Sequence, residues 1–298
     1  ILEIARKLKR NQIYIEIICK KNFNLIDKLN SLAVKIKRKK TTNNFDVIED
    51  ILWVIEKEIL EDSATLKKYL KNNNIPITIK SIIFFRYFNN SIESLNYLET
   101  RGRDSASLSL NILTKHKVNY PNSIKINNNE FYFFQKRISQ NIFLLNVTIK
   151  YANQVGYSGE NLVKINKILI DSKLLKKIDF NSLISFYIVG HTRWASIGKV
   201  NLSNCHPLIN QHEKENSYFY MNGDILNHSK LYSETEKDKK FILSDRNCKN
   251  DLSGLPFKLK KKKNLKIDLL EGSFVLIYHK SQKPYELSIL KKGSQGLY

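Results

Sequence analysis

Over the first ninety residues isoleucine and leucine recur at helical spacing. Ile48, Ile51, Leu52, Ile55 and Ile59 fall at i, i+3, i+4, i+7 and i+11, which is one apolar stripe on a helix. Ile26, Leu29, Leu32, Ala33 and Ile36 make a second stripe, set apart by a polar Lys39–Asn44 turn. A third, short helix is expected from Ser63 to Leu70, ending at Asn72-Asn73-Asn74, and after Pro76 an apolar segment runs from Ile82 to Phe88. Stripes of this kind pack helix on helix. They carry no visible chemistry, so residues 1–90 are expected to form a helical hairpin added to a working domain.

The period changes near Asn90. Asn90 with Glu93 three residues on has the form of a capping box and predicts a new short helix through Ile92, Leu95 and Leu98. Beyond Arg101-Gly102-Arg103-Asp104, the residues Ala106, Leu108, Leu110 and Ile112 alternate with Ser107, Ser109 and Asn111, a strand with one wet face. Phe131–Phe134 reads as a strand and Asn161–Asp171 as a helix after a turn at Gly156 to Gly159. Leu183–Val189 reads as a buried strand, and Tyr218–Met221 as a second apolar one. Gly272–His279 and Glu286–Lys291 form a hairpin around Pro284. Helix and strand therefore intermix from residue 91 onward, the pattern of an α+β layered domain.

Composition narrows the class. At 42% hydrophobic, a chain of 298 residues can bury a real core. No apolar run approaches the roughly 20 residues of a membrane span, and the opening Ile-Leu-Glu-Ile-Ala-Arg-Lys lacks the layout of a signal peptide. No membrane partner and a cytoplasmic location are expected. Cys19, Cys205 and Cys248 lie far apart and have neither disulfide-framework nor zinc spacing, so no metal is expected. The net charge of +22 is spread along the chain, and its two local runs, Lys35–Lys40 and Lys258–Lys266, lack interleaved aromatics. Both read as solvated faces, and nucleic acid is not an expected partner. Because Met221 is the sole methionine, Ile1 is not an initiator, and the chain is expected to be a piece truncated at both ends.

Two stretches have chemical content. From Gly190 to Pro207 the sequence turns polar and offers Thr192, Arg193, Trp194, Ser196 and Gly198 directly after a strand. Arg193 can grip a carboxylate through two parallel hydrogen bonds. A strand end with a stacked Arg–Trp pair is the other reading, and the stretch alone does not decide between them. Asn222-Gly223 after an apolar strand is either a turn or a pair of donors able to converge on one oxyanion.

Four ordered motifs then carry a resemblance. Arg101-Gly102-Arg103-Asp104-Ser105-Ala106, Gly190-His-Thr-Arg-Trp-Ala-Ser-Ile-Gly198, Asn204-Cys-His-Pro207 and Asn222-Gly223 resemble the class II glutamine amidotransferase domain, the N-terminal-nucleophile type. The His-Thr-Arg-Trp run is most similar to the glutamine–fructose-6-phosphate aminotransferase branch of that family. The likeness covers about residues 91–298, more loosely over 118–180. It implies an Ntn-type αββα four-layer sandwich. It also implies a chemistry: a cysteine at the mature N-terminus, with its own α-amine as base, attacks the glutamine side-chain amide and releases ammonia.

The matching positions take roles from the resemblance. Arg193 would bind the glutamine α-carboxylate, with Thr192, Trp194 and Ser196 shaping the pocket. Asn222 and Gly223 would form the oxyanion hole, and Arg101 would order the nucleophile. Asp251, in Asp251-Leu-Ser-Gly-Leu-Pro256, would hold the α-amine, with Asp245 as second choice. No cofactor is implied. The implied partners are glutamine and a sugar-phosphate acceptor in an isomerase domain beyond residue 298, a homodimer being one option. The chain departs from the pattern in lacking the N-terminal cysteine, with Cys19 and Cys205 reading as core residues. Met221 and Ile197 stand where the family has histidine, and Ser107 where it has glycine. The expected function is a glutaminase domain for amino-sugar phosphate synthesis, inactive as this fragment. The alternative is a non-catalytic glutamine-binding or scaffold descendant.

Overall fold

The computed structural model describes residues 23–38, 45–120, 131–153, 157, 159–212, 215–230, 242–243, 250–255 and 270–295. Asp245, Cys19, Cys248, the Lys39–Asn44 turn and the Lys258–Lys266 run lie outside these residues. The chain divides into two compact units, Ile1–Asn89 with Ile178–Asn181, and Asn90–Lys177 with Ser182–Tyr298.

In the first unit, helix α1 (Phe23–Arg38) and helix α2 (Phe45–Trp53) are followed by a π-helical stretch, Val54–Glu61, and by α3 (Asp62–Asn72). Both apolar stripes meet in one cluster of Leu29, Ala33, Leu52, Ile55 and Ile59. Leu32, placed by its spacing in the stripe, is 42% exposed because it stands on the stripe's flank. The short helix expected at Ser63 is the continuation of α2 through the π-helical stretch. After Asn74, whose φ of 54° ends the run, Thr78 and Ser81 cap the next helix reciprocally (Ser81 N to Thr78 Oγ1 3.1 Å, Thr78 N to Ser81 Oγ 2.9 Å).

That helix, α4 (Ile79–Leu98), runs unbroken through Asn89 and Asn90, where the capping-box pattern predicts a new start. Two asparagines inside a helix cost about 1 kcal/mol together. Burying Leu95, further along the same face as Phe85 and Phe88, returns about 1.5–3 kcal/mol. The apolar face wins. Among the described residues no helix is long and apolar enough to cross a membrane.

The second unit is mixed α+β with two antiparallel sheets. The first sheet has the order β2 (Phe131–Ser139), β3 (Ile142–Ala152), β1 (Ser105–Thr114), β4 (Leu183–Arg193). The second has the order β7 (Ile242–Leu243), β5 (Leu208–His212), β6 (Glu215–Ile225), β8 (Gly272–Lys280), β9 (Leu287–Lys292). Strand β1 has no wet face, for all ten of its residues are buried. Register explains this: Ser109 faces Thr148 of β3 and Val189 of β4, and Thr148 faces Tyr132 of β2, so these side chains share one side. Tyr132 and Val189 pack against Ile209, Tyr218 and Tyr220 of the second sheet. The polar side of β1 thus looks into the space between the sheets, where Ser109 and Thr148 share a hydrogen bond of 2.8 Å and Asn146 donates to Asn111.

Helix α5 (Glu160–Asp171) covers β1 and β3 with Leu162, Ile165 and Leu169. Against the second sheet, Phe219, Met221, Phe274 and Leu276 pack with Leu252, Leu255 and Leu270. Strand β4 differs from expectation in two ways. Among the described residues it is an edge strand with only Leu183 and Arg193 along it buried, and it continues through Gly190, His191 and Thr192. The polar motif is therefore the end of a strand as well as the start of a loop.

Candidate functional site

The Arg101–Ala106 and Gly190–Gly198 motifs hold one another. Gly102 lies so close to β4 that a Cβ there would stand 2.8 Å from the Arg193 carbonyl carbon. The Asp104 amide donates to the Arg193 carbonyl at 3.1 Å, and Asp104 Oδ2 accepts from the Ala195 amide at 2.7 Å. The loop after β4 is tied again further on: Ser196 Oγ donates to Asp224 Oδ1 at 2.6 Å, and Arg193 Nη2 donates to the Ile197 carbonyl. Asn201 closes the following 3₁₀ turn by accepting from the Asn204 amide at 2.9 Å. Beside them, Gly190 leaves room for Leu95, whose side chain would lie 2.7 Å from a Cβ at that position.

Asn222 and Gly223 do not turn the chain. They continue β6, opposite Val275 and Phe274 of β8. Gly223 has φ 101°, and a Cβ would come within 2.1 Å of the Ser273 carbonyl oxygen, so only glycine fits. The Asn222 side-chain amide donates to Gln295 Oε1 at 3.3 Å.

These segments enclose a cavity of about 290 Å³. Arg101 enters it from the turn after α4, Thr192 and Arg193 from β4, Trp194 and Ser196 from the loop, Asn222 and Gly223 from β6, and Asp251 from the segment before Leu252. The structure thus brings all eight sequence-derived site residues, from four separate stretches of chain, to one place. Arg193 is buried to 8% exposure, while Trp194 stands out at 66%. Thr192 Oγ1 donates to the Leu98 carbonyl at 3.3 Å. Asp251 Oδ2 accepts the Ile225 amide at 2.9 Å, and burial, followed by the nearby Asp224, raises its carboxyl above the usual carboxylate range. An ammonium beside it would reverse that shift. The cavity therefore offers a cation suited to a carboxylate, a carboxylate suited to an amine and a pair of candidate amide donors. Among the described residues no cluster of histidine, cysteine, aspartate and glutamate is placed to hold a metal ion.

Five further residues line the cavity, Leu98, Gly190, His191, His206 and Met221, none of them given a site role from sequence. His191 Nε2 lies 2.9 Å from the Met221 carbonyl, and the Met221 amide donates to His206 Nδ1 at 3.2 Å. Burial is the first cause that lowers both imidazoles, His191 to about 4 and His206 well below its ordinary value. Both histidines stood inside quoted motifs, but nothing local shows that the two rings meet. Cys205, 1% exposed, points its Sγ at the Ala106 carbonyl at 3.5 Å and lies outside the cavity lining.

Fold and cavity together give an α+β protein with a polar pocket lined from both sheets, by the end of β4 and by β6. No protein-family profile matches the chain. Over 141 residues it is 28% identical to the protein named glutamine–fructose-6-phosphate aminotransferase (isomerizing) of Buchnera aphidicola subsp. Acyrthosiphon pisum. That similarity takes in 45% of this chain and 22% of the relative, so the chain spans only a fraction of that protein's length.

Proposed function

We propose that residues 91–298 form a class II glutamine amidotransferase domain with an αββα four-layer arrangement, carrying residues 1–90 as a helical insertion. The reading rests on one observation: the four motifs, far apart in sequence, line one cavity with complementary charges at its sides. Arg193 binds the α-carboxylate of glutamine and Asp251 its α-amine, with Trp194, Thr192 and Ser196 completing the pocket. The substrate's side-chain amide then points toward Asn222 and Gly223. A cysteine at the mature N-terminus of the full protein supplies the thiolate. The terminal amine takes the thiol proton, the sulfur bonds to the amide carbon, and the developing oxyanion takes hydrogen bonds from the Asn222 side chain and the Gly223 N–H. The C–N bond then breaks, ammonia leaves with that proton, and water cleaves the γ-glutamyl thioester to glutamate and the free thiol. Arg101 orders that nucleophile. The ammonia goes to a sugar phosphate held by a further domain, by analogy with the enzyme named above.

The test is ammonia release from glutamine by the full-length protein, with calorimetry of glutamine binding alongside. Turnover supports the proposal; absence of both turnover and binding overturns it. One observation favours a second reading, a domain that binds glutamine without hydrolysing it: the Asn222 amide is already engaged by Gln295. Binding without turnover in the same pair of measurements, unchanged by Gln295→Ala, selects that reading.

A further inference from the structure

Strand β5 begins at Leu208, paired with Phe219. Continued by two residues, that register sets His206 opposite Met221, but the chain there is His206-Pro207, and Pro207 has no N–H to give. The ladder between β5 and β6 therefore ends just before the Asn222-Gly223 step. Two imidazoles take its place. The Met221 amide donates to His206 Nδ1 at 3.2 Å, which requires that nitrogen to be bare. His191 Nε2 lies 2.9 Å from the Met221 carbonyl and 3.3 Å from the same His206 Nδ1. A proton on His191 Nε2 goes to the nearer acceptor, the Met221 carbonyl, because the single lone pair of His206 Nδ1 is taken by the Met221 amide. The rings lie 4.5 Å apart between centroids, and His206 is only 3% exposed.

We propose that His206 and His191 are positioning residues which together fix the Met221–Asn222 peptide and so aim the Asn222 and Gly223 donors into the cavity. This rests on the glutaminase reading given above and names a device within its site. The carbonyl held by His191 belongs to the peptide whose N–H is that of Asn222. Rotation of that plane swings the Asn222 side chain and the following Gly223 N–H together. Strand β8 holds Met221, Asn222 and Gly223 along one edge, opposite Leu276, Val275 and Phe274, and the two histidines hold the Met221 end of that peptide along the other edge, where β5 has stopped. Both rings border the cavity, but neither nitrogen named here faces away from Met221. They act through the peptide.

The test uses the full-length protein. His206→Leu removes the acceptor, whereas His206→Asn keeps one, since Asn Oδ1 stands where imidazole Nδ1 does. His191→Phe removes the donor on the other side and serves if the leucine variant does not fold. Expected for His206→Leu and His191→Phe is a kcat for ammonia release lowered roughly 10- to 100-fold, with KM for glutamine within about threefold. His206→Asn should recover most of the loss. Hydrogen exchange over residues 219–224 should quicken in His206→Leu and stay slow in His206→Asn. Wild-type protein that releases no ammonia would remove the glutaminase reading, and the exchange result would then decide the clamp by itself. Unchanged kcat with unchanged exchange, or a fall in kcat matched by a rise in KM, would overturn it.

Discussion

Replacing His279 with phenylalanine isolates the cost of a buried imidazole away from the cavity. The ring is 2% exposed, stacked on Tyr218 at 4.6 Å and edge-on to Tyr187 at 5.6 Å, and its Nε2 has no hydrogen-bond partner among the described residues. Burial lowers the imidazole to about 3. The unfolded chain, with an ordinary imidazole, takes up a proton as pH falls below about 6.5, and the folded chain does not. The stabilisation is therefore fully present above pH 6.5 and is lost progressively as pH falls toward the folded value. At pH 5 the loss from this one group is about 2 kcal/mol. Phenylalanine keeps the ring and the stacking but cannot titrate. His279→Phe should equal or exceed the wild type in stability at pH 7, because an unsatisfied polar atom is removed. Between pH 7 and pH 5 it should lose about 2 kcal/mol less, while His191 and His206, present in both proteins, cancel. Urea unfolding followed by circular dichroism at several pH values measures this directly. Parallel pH profiles for the two proteins would refute the reasoning, since they would mean that the native ring accepts a proton as readily as the unfolded one.

The remaining predictions concern the cavity. In the full-length protein Arg193→Ala should raise KM for glutamine by roughly 10- to 100-fold with a smaller effect on kcat, because it removes a charged contact made before the transition state; steady-state ammonia release separates the two constants. Asn222→Ala should do the reverse and lower kcat by roughly 10²–10³ with KM nearly unchanged. Gly223→Ala places a methyl group within 2.1 Å of the Ser273 carbonyl at a positive φ. Strain of about 1–3 kcal/mol from the backbone alone should lower the melting temperature by several degrees, and an unaltered melting curve would show that β8 moves aside freely.

Much of this architecture was legible in sequence because its periodicities are local. The Ile48–Ile59 stripe, the alternation in Ser105–Thr114 and the Pro284 hairpin each declare themselves within a dozen residues. What failed were inferences about neighbours. Asn90 with Glu93 looks like a helix start, yet the sequence cannot show that Leu95 will be buried in line with Phe88. The serines of β1 look solvent-facing until a second sheet covers them. Strand β3 went unread although Leu145, Val147 and Ile149 alternate with polar residues, because Phe143 and Leu144 blur the period. The site residues were legible as separate motifs. Their meeting depends on long-range pairing, such as Gly102 against Arg193, and the histidine pair depends on where β5 stops.

The space between the two sheets has a thermodynamic consequence. Ser107, Ser109, Asn111, Asn146, Thr148 and Lys150 are all buried there or beside it, facing tyrosines and a histidine rather than leucines. Unfolding such an interior exposes polar as well as apolar surface, and the two contribute to the heat-capacity change with opposite sign. The second unit should therefore unfold with a smaller heat-capacity increment than an oily sandwich of equal size. Its stability would vary gently with temperature and be retained better in the cold.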